Sequence, residues 1–233
     1  MRVLAALAIA LAAAASSATA CAQGSADAAS ASDAEVTARL AFLDLRLDRA
    51  TAAADRWWYG WLTTHQILTV GQAAFVLATR DKGLREDFAV GAFAASIGVL
   101  GVGAAPFPAR TAAAELRATS QATPEARRAK LARAERLLER SAKAERFGRS
   151  WIAHAAAVVV STATGLVLAL GYHRVTSGAV QIGAGVALAE VQIATQPTAA
   201  IDDLRDYRAR FPARPAHSAP TIRGGLNGLT GTF

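Results

Sequence analysis

Four long runs of uncharged residues dominate the pattern of hydrophobic and polar positions along the chain. The first three are bracketed by charged residues, and each exceeds the roughly 20 residues that an α-helix needs to cross ~30 Å of hydrocarbon. The fourth is interrupted by Glu190. A bundle of soluble helices is the alternative, but soluble helices of this length normally show a polar face. The pattern therefore predicts four transmembrane helices, near 57–79, 88–109, 150–173 and 175–196.

Short polar segments connect these runs in pairs. Residues 80–87 and 173–178 each contain a glycine and are long enough only for a tight turn, so we predict two antiparallel hairpins. We call the membrane face with these turns side B, and the face with the N-terminal segment, the 110–149 link and the C-terminus side A. The predicted fold class is all-α: an integral membrane four-helix bundle of two transmembrane hairpins, with amphipathic and interfacial helices on one face.

The side-A segments carry helical patterns of their own. Residues 33–56 have apolar side chains at helical spacing and lead directly into the first span. The 110–149 link is a strongly polar, basic segment, and Thr123 followed by Pro124 is typical of a helix start. This helix is either a solvated connection to the third span or an arm that binds headgroups or a partner. The membrane domain as a whole is predicted to cover 33–196.

The C-terminal residues divide into a short helix and a tail. Residues 197–211 place Ile201, Leu204 and Phe211 on one helical face, which predicts an interfacial helix. Residues 212–233 are rich in Pro and Gly, and we predict a flexible tail.

The N-terminus has the three regions of a bacterial export signal. Arg2 precedes an apolar core that ends in small residues, so 1–22 is predicted to be a signal peptide. Cleavage before Cys21 would place this cysteine at the mature N-terminus, where it could be lipidated as in a lipoprotein. An ordinary cut after Ala22 is the alternative. Residues 23–32 are predicted to form a disordered spacer.

Composition and charge agree with a membrane protein. Charged residues make up 18% of the chain, against about 25% in soluble domains, and hydrophobic residues make up 53%. The net charge of +7 is concentrated in polar blocks, a pattern that favours anionic lipid headgroups as partners over nucleic acid. A membrane protein partner or a homo-oligomer stays open. The single cysteine excludes an intrachain disulfide and a cysteine-based zinc site.

Two signals disagree about orientation. A cleaved signal peptide places side A, with the N-terminus, the 110–149 link and the C-terminus, outside the cytoplasm. The positive-inside rule points the other way, because side A holds most of the Lys and Arg. We follow the signal peptide and predict a protein of the bacterial inner membrane in that orientation.

Polar residues inside the spans need a physical reason, because ionisable groups are costly in hydrocarbon. His65, Thr69 and Gln72 share one face of the first span. His154 lies in the third span. Glu190 lies in the fourth span on a face that is otherwise lined by small residues: Ala179, Gly183, Ala187 and Ala194. These small residues predict close packing, with Glu190 directed into the bundle.

This predicted intramembrane cluster has three interpretations, one of which is that its members are placed independently of one another. Its members could converge on a side-A pocket for a proton, a metal ion or a polar headgroup. They could instead hold the helices in register through hydrogen bonds. Whether the His and Glu side chains meet, and whether they bind a metal, stays open at this point.

Large aromatic residues mark the start of the first span. Trp57, Trp58, Tyr59 and Trp61 are predicted to form an interfacial aromatic belt, with Trp151 as its counterpart on the third span. Such a belt needs no catalytic role.

No motif in the chain names a reaction. It has no HExxH, no Ser-His-Asp arrangement with a nucleophile elbow and no phosphate-binding glycine loop. We therefore predict no catalytic residues and no cofactor, and favour a non-enzymatic scaffold or a lipid- or partner-binding bundle of the cell envelope. The alternative is a small transporter, or a protein that handles protons or ions through the His/Glu cluster, and a membrane-embedded enzyme ranks third.

Overall fold

The computed structural model describes residues 32–105, 107–212, 222–225 and 228–231. The predicted signal peptide, Cys21 and nearly all of the predicted spacer lie outside these residues. So does much of the predicted tail.

Seven α-helices account for the described part of the chain up to residue 212. They are α1 (Asp33–Ala78), α2 (Lys82–Ala104), α3 (Ala109–Arg117), α4 (Pro124–Gly148), α5 (Trp151–Leu166), α6 (Val175–Ala194) and α7 (Ala199–Arg210). A π-helical turn, Val167–Gly171, extends α5. Two short antiparallel strands, β1 (Ile222–Gly225) and β2 (Gly228–Gly231), follow in the segment predicted as a tail. The helical fold class is thus confirmed for residues 32–212.

Side-chain caps explain where three of the helices begin. The side chain of Ser32 accepts a hydrogen bond from the backbone N–H of Glu35 at the start of α1. Asp81 caps α2 in the same way. Thr123 caps α4 and is followed by a proline at the first helical position, as its sequence predicts.

Among the described residues, three helical stretches are long and apolar enough to cross a membrane, judged by length and composition. They lie within Lys82–Arg117, Trp151–Gly171 and Val175–Arg210. Their apolar windows are at most 22% buried inside the protein, so most of this hydrophobic surface faces outward. The predicted first span, at 57–79, is not among the three, because His65, Gln66 and Gln72 lower its mean hydropathy. These findings support a membrane protein and leave the four-span bundle unconfirmed.

The apolar helices associate as two hairpins. Among the described helices, the most extensive contacts join α1 with α2 and α5 with α6. Within the second hairpin the backbones touch: a Cβ added at Gly165 would lie 2.6 Å from the carbonyl oxygen of Gly178. Small residues therefore bring α5 and α6 together, as expected for helices that pack in a membrane.

The polar helices form a compact domain, which we call the head. It consists of the N-terminal half of α1 together with α3, α4 and α7. These four elements share one buried hydrophobic core, whose members are Val36, Leu40, Leu43, Leu47, Ala112, Ala113, Leu116, Leu131, Ala132, Ala134, Leu137, Leu138, Ala142, Ala200, Leu204 and Tyr207. The chain thus places a helical head at one end of the two hairpins.

The head revises the predictions for two side-A segments. The 110–149 link is neither an extended arm nor a helix solvated on all sides, because Leu131 and Leu138 of α4 are fully buried in the core. The face of α7 that was predicted to lie at a membrane interface is occupied by protein, since Leu204 is 4% exposed and Ile201 and Phe211 pack against the same core.

Buried polar groups tie the head helices together. Arg46 of α1 forms an ion pair with Asp203 of α7, with 2.6 Å between Nη1 and Oδ1. The hydroxyl of Tyr207 donates to Glu135 of α4, and burial, followed by this hydrogen bond, raises the pKa of Tyr207. These contacts fix α7 on α1 and α4.

Candidate functional site

A cavity of about 700 Å³ lies between the two hairpins. Residues from α1, α2, α5 and α6 line it, and many of them are Gly or Ala, such as Gly98, Gly101, Ala156 and Ala184. The small side chains that allow close contact within each hairpin leave open space between the hairpins. We call this cavity the cleft.

A set of paired charges joins the two hairpins at their side-B end. Arg174, just before α6, makes two hydrogen bonds to Asp87 of α2, at 2.9 Å from Nε to Oδ1 and 2.6 Å from Nη2 to Oδ2. The hydroxyl of Ser177 donates to the same carboxylate at 3.1 Å. Bidentate pairing is the strongest geometry for an arginine and a carboxylate, so this contact ties the two short turns together.

Hydrogen bonds from α1 and α4 join them to α6 at the side-A end. The indole N–H of Trp57 donates to the carbonyl of Gln192 at 3.2 Å, and that of Trp61 donates to the hydroxyl of Thr195 at 3.0 Å. Arg149, at the end of α4, donates to the carbonyls of Ile193, Ala194 and Gln196, each at 3.2 Å. Arg149 thus binds carbonyl groups at and just beyond the end of α6, where few helical partners remain.

The predicted aromatic belt also has bonding roles that the sequence did not reveal. Trp58 donates to the carbonyl of Val102 at 2.9 Å, which joins α1 to the end of α2. The guanidinium of Arg110 lies 3.7 Å from the centre of the Trp58 ring and 4.8 Å from that of Tyr59. Trp151 is 77% exposed. Its placement and that of Tyr59 agree with a belt, which stays a prediction.

His65 lies in the wall of the cleft and is 6% exposed. Its Nε2 is 2.9 Å from Oε1 of Gln192, so its partner on α6 is this amide and not Glu190. Its ring packs against Gly98, where a Cβ would come within 2.3 Å of Nδ1. Thr69 and Gln72 donate to carbonyls of their own helix, at 2.8 and 3.1 Å. The sequence predicted that His65, Thr69 and Gln72 share one helical face, but it did not predict Gln192 as the partner of His65.

His154 and Glu190 form a separate pair. Nδ1 of His154 lies 2.9 and 2.8 Å from the two carboxylate oxygens of Glu190. Their side chains are 43% and 42% exposed, and neither lines the cleft. The predicted close-packed seam around Glu190 is absent from the described structure, because Ala179, Gly183, Ala187 and Ala194 are exposed. The expected cluster is therefore two separate pairs, His65 with Gln192 and His154 with Glu190.

The chemistry of the cleft follows from its lining. The described polar side chains in its wall are amides, hydroxyls, an indole and His65, and none of them is Asp, Glu, Lys or Arg. Within the ranges that the structure describes, no group of three or more His, Cys, Asp or Glu is placed to hold a metal ion. Such a lining suits an apolar molecule with a few hydrogen-bonding groups.

Residues 32–212 thus form a helical head and two helical hairpins with a cleft between them, and three of the described helical stretches are long and apolar enough to cross a membrane. Comparisons of the chain with protein-family models, with curated proteins and with solved structures find no match. The function is therefore argued from the site alone.

Proposed function

We propose that the chain is a non-enzymatic integral membrane protein of the bacterial cell envelope, with four spans, that binds one lipid-like amphiphile in the cleft between its hairpins. The head covers the side-A end of the cleft. The cavity of about 700 Å³ between hairpins that are joined to each other by polar contacts is the observation that carries this proposal.

The predicted first span, in the second half of α1, is the one whose hydropathy is lower than that of the three candidate spans. The second half of α1 is free of charged residues and packs along α2, which is itself a candidate span. Two of its polar residues, His65 and Gln72, turn towards the cleft and towards glycines of α2. This placement keeps their polar atoms away from lipid and supports a membrane location for a segment of moderate hydropathy.

The size of the cleft argues for the type of occupant. Sites for small ligands usually measure about 300–1,000 Å³, and the cleft falls in that range. A partner transmembrane helix about 10 Å wide and 30 Å long fills roughly 2,400 Å³, which would require the hairpins to separate. The contacts of Arg174 with Asp87 and of Trp57 with α6 oppose separation. An extended acyl or isoprenoid chain is the better fit.

Filling the cleft should displace this ligand. Gly101 lines the cleft, and a Cβ added there would meet no atom within 4 Å. We expect Gly101→Phe to lower the amount of co-purified amphiphile about tenfold, equivalent to about 1.4 kcal/mol of binding. Organic extraction of the purified protein followed by quantitative mass spectrometry measures this amount.

Gly183→Phe is the matched control. Gly183 is exposed, an added Cβ there also meets no atom within 4 Å, and the residue does not line the cleft. This variant should keep the wild-type amount of amphiphile. If folded Gly101→Phe protein retains as much amphiphile as Gly183→Phe protein, the proposed function is wrong.

The alternative function, proton or ion handling, has less support. It requires His65, His154 and Glu190 to act together, and the structure gives the two histidines different partners. The His154–Glu190 pair lies outside the cleft lining, so no shared pocket joins the ionisable groups among the described residues.

The proposed orientation places the head outside the cytoplasm and rests on the signal peptide. A phosphatase that is active only after export, inserted between α3 and α4 near Ser120, should be active in intact cells. The same insertion with a reporter that works only in the cytoplasm should be inactive. The opposite pair of results would place the head in the cytoplasm and refute this orientation.

A further inference from the structure

The C-terminal turns of α4 carry exposed cations beside exposed aromatic rings. Arg140, Lys143 and Arg146 are exposed, Phe147 is 53% exposed, and Trp151 at the start of α5 is 77% exposed. We call these five residues the headgroup patch. They lie where the head meets Trp151–Gly171, one of the helices long enough to cross a membrane.

The cations of the patch differ from many other arginines of the head in their pairing. Eight arginines elsewhere in the head form ion pairs with carboxylates: Arg39, Arg46, Arg110, Arg117, Arg128, Arg133, Arg205 and Arg208. No carboxylate within the described residues forms an ion pair with Arg140, Lys143 or Arg146. Because no described carboxylate neutralises these three cations, they leave positive charge at the junction between the head and the apolar helix.

The distance to the membrane favours a lipid partner. Arg140 precedes Trp151 by 11 residues, so the three cations lie within about 16 Å of the start of the apolar helix, at 1.5 Å per residue. Long basic side chains extend towards the phosphate layer, and Trp and other aromatic rings are favoured at the same depth. Cations and aromatic rings together match the phosphate and glycerol region of a bilayer.

We propose that the headgroup patch binds the phosphate groups of anionic phospholipids in the surrounding membrane. This inference rests on the proposed membrane location, but it is independent of the ligand in the cleft. The patch anchors the head to the membrane surface by electrostatic attraction, with Phe147 and Trp151 at the interface.

The test compares lipid affinities of the purified full chain in an uncharged detergent. Phosphatidylglycerol, phosphatidylcholine and inorganic phosphate are titrated separately, and native mass spectrometry gives the apparent Kd for each. Each basic residue near a membrane surface contributes about 1 kcal/mol of attraction. We therefore expect the triple variant Arg140→Gln, Lys143→Gln, Arg146→Gln to lose phosphatidylglycerol affinity roughly 100-fold, with phosphatidylcholine affinity unchanged.

Two control variants make the test specific. Arg117→Gln, Arg205→Gln, Arg208→Gln removes the same charge from exposed, carboxylate-paired positions and should retain phosphatidylglycerol affinity. Arg140→Lys, Arg146→Lys keeps the charge of the patch and should also retain it, which serves as the second measurement if the triple glutamine variant fails to fold.

The possible outcomes separate this inference from its alternatives. An equal loss of phosphatidylglycerol affinity in the two triple glutamine variants would show an effect of net charge alone. It would overturn the proposal that the headgroup patch is the binding site. Equal affinity for inorganic phosphate and phosphatidylglycerol would overturn the lipid partner in favour of a free anion. Gly101→Phe should leave the difference in affinity between phosphatidylglycerol and phosphatidylcholine unchanged, because the described cleft lining has no charged residue that would distinguish their headgroups. Failure of the cleft proposal and failure of the patch are therefore distinguishable.

Discussion

Replacing Leu138 by Ala should lower the free energy of unfolding of the head by about 2–5 kcal/mol. Leu138 is 0% exposed in the core shared by α1, α3, α4 and α7. The substitution removes buried apolar surface and leaves a cavity that the neighbouring helices can close only in part. Denaturant unfolding of the full chain in mild detergent, followed by circular dichroism, measures the change.

Leu45→Ala is the control for this substitution. Leu45 also lies in a head helix, α1, but its side chain is 52% exposed, so its truncation should change the free energy of unfolding by less than about 0.5 kcal/mol. Equal destabilisation by the two substitutions would contradict the assignment of α4 to a packed head.

The second large effect is a dependence of stability on pH that arises from Glu145. This residue of α4 is 1% exposed, and its Oε2 accepts a hydrogen bond from the backbone N–H of Ile201, 3.1 Å away, in the first turn of α7. The N-cap residue of α7, Thr198, makes no side-chain capping bond. Glu145 therefore caps α7 from a neighbouring helix, and burial raises the pKa of its carboxyl to about 7.

The direction of the pH effect follows from this pKa. The ordinary pKa of a glutamate carboxyl is 4.5, which we take for the unfolded chain. Between pH 4.5 and about 7 the folded protein therefore binds more protons than the unfolded protein. The free energy of unfolding should therefore fall as the pH rises through this window, by about 3 kcal/mol in all. Denaturant unfolding of the full chain at a series of pH values measures the slope.

Glu145→Gln should remove this slope, because the amide oxygen can accept the same backbone hydrogen bond and does not ionise in this range. Glu139→Gln is the matched control on the same helix. Glu139 is 47% exposed and pairs with Arg208, so this change should leave the pH dependence in place. If the free energy of unfolding of the Glu145→Gln protein depends on pH as steeply as that of the wild type, another group causes the pH dependence.

Part of the fold could be predicted from the sequence because the relevant signals are local. Charged residues bracket the apolar runs, Thr123 and Pro124 mark the start of α4, and short turns force neighbouring helices into hairpins. The head was missed for a physical reason: much of the buried face of α4 is alanine, including Ala134 and Ala142. Alanine gives little contrast between an apolar and a polar face, so the helix resembles a solvated one.

The site was predictable only in part, since its partners depend on how helices are rotated against each other. His65 was expected to need a reason for its polarity inside the bundle, and the structure supplies Gln192 as its partner, whereas the sequence left open whether it meets Glu190. These two residues are two positions apart on α6, which is about 200° around the helix. The cleft could not be predicted for a similar reason. A glycine that permits close helix contact and a glycine that borders open space look the same in the sequence.

The most direct test of the central claim uses a phospholipid with a photoactivatable group in its acyl chain. After reconstitution and illumination, peptide mass spectrometry identifies the labelled residues. Occupation of the cleft predicts label on cleft residues such as Ile97, Val160 and Leu188, with less label on these residues in the Gly101→Phe variant. Label confined to outward-facing residues such as Leu100, Leu170 and Val180 would contradict a lipid-binding cleft.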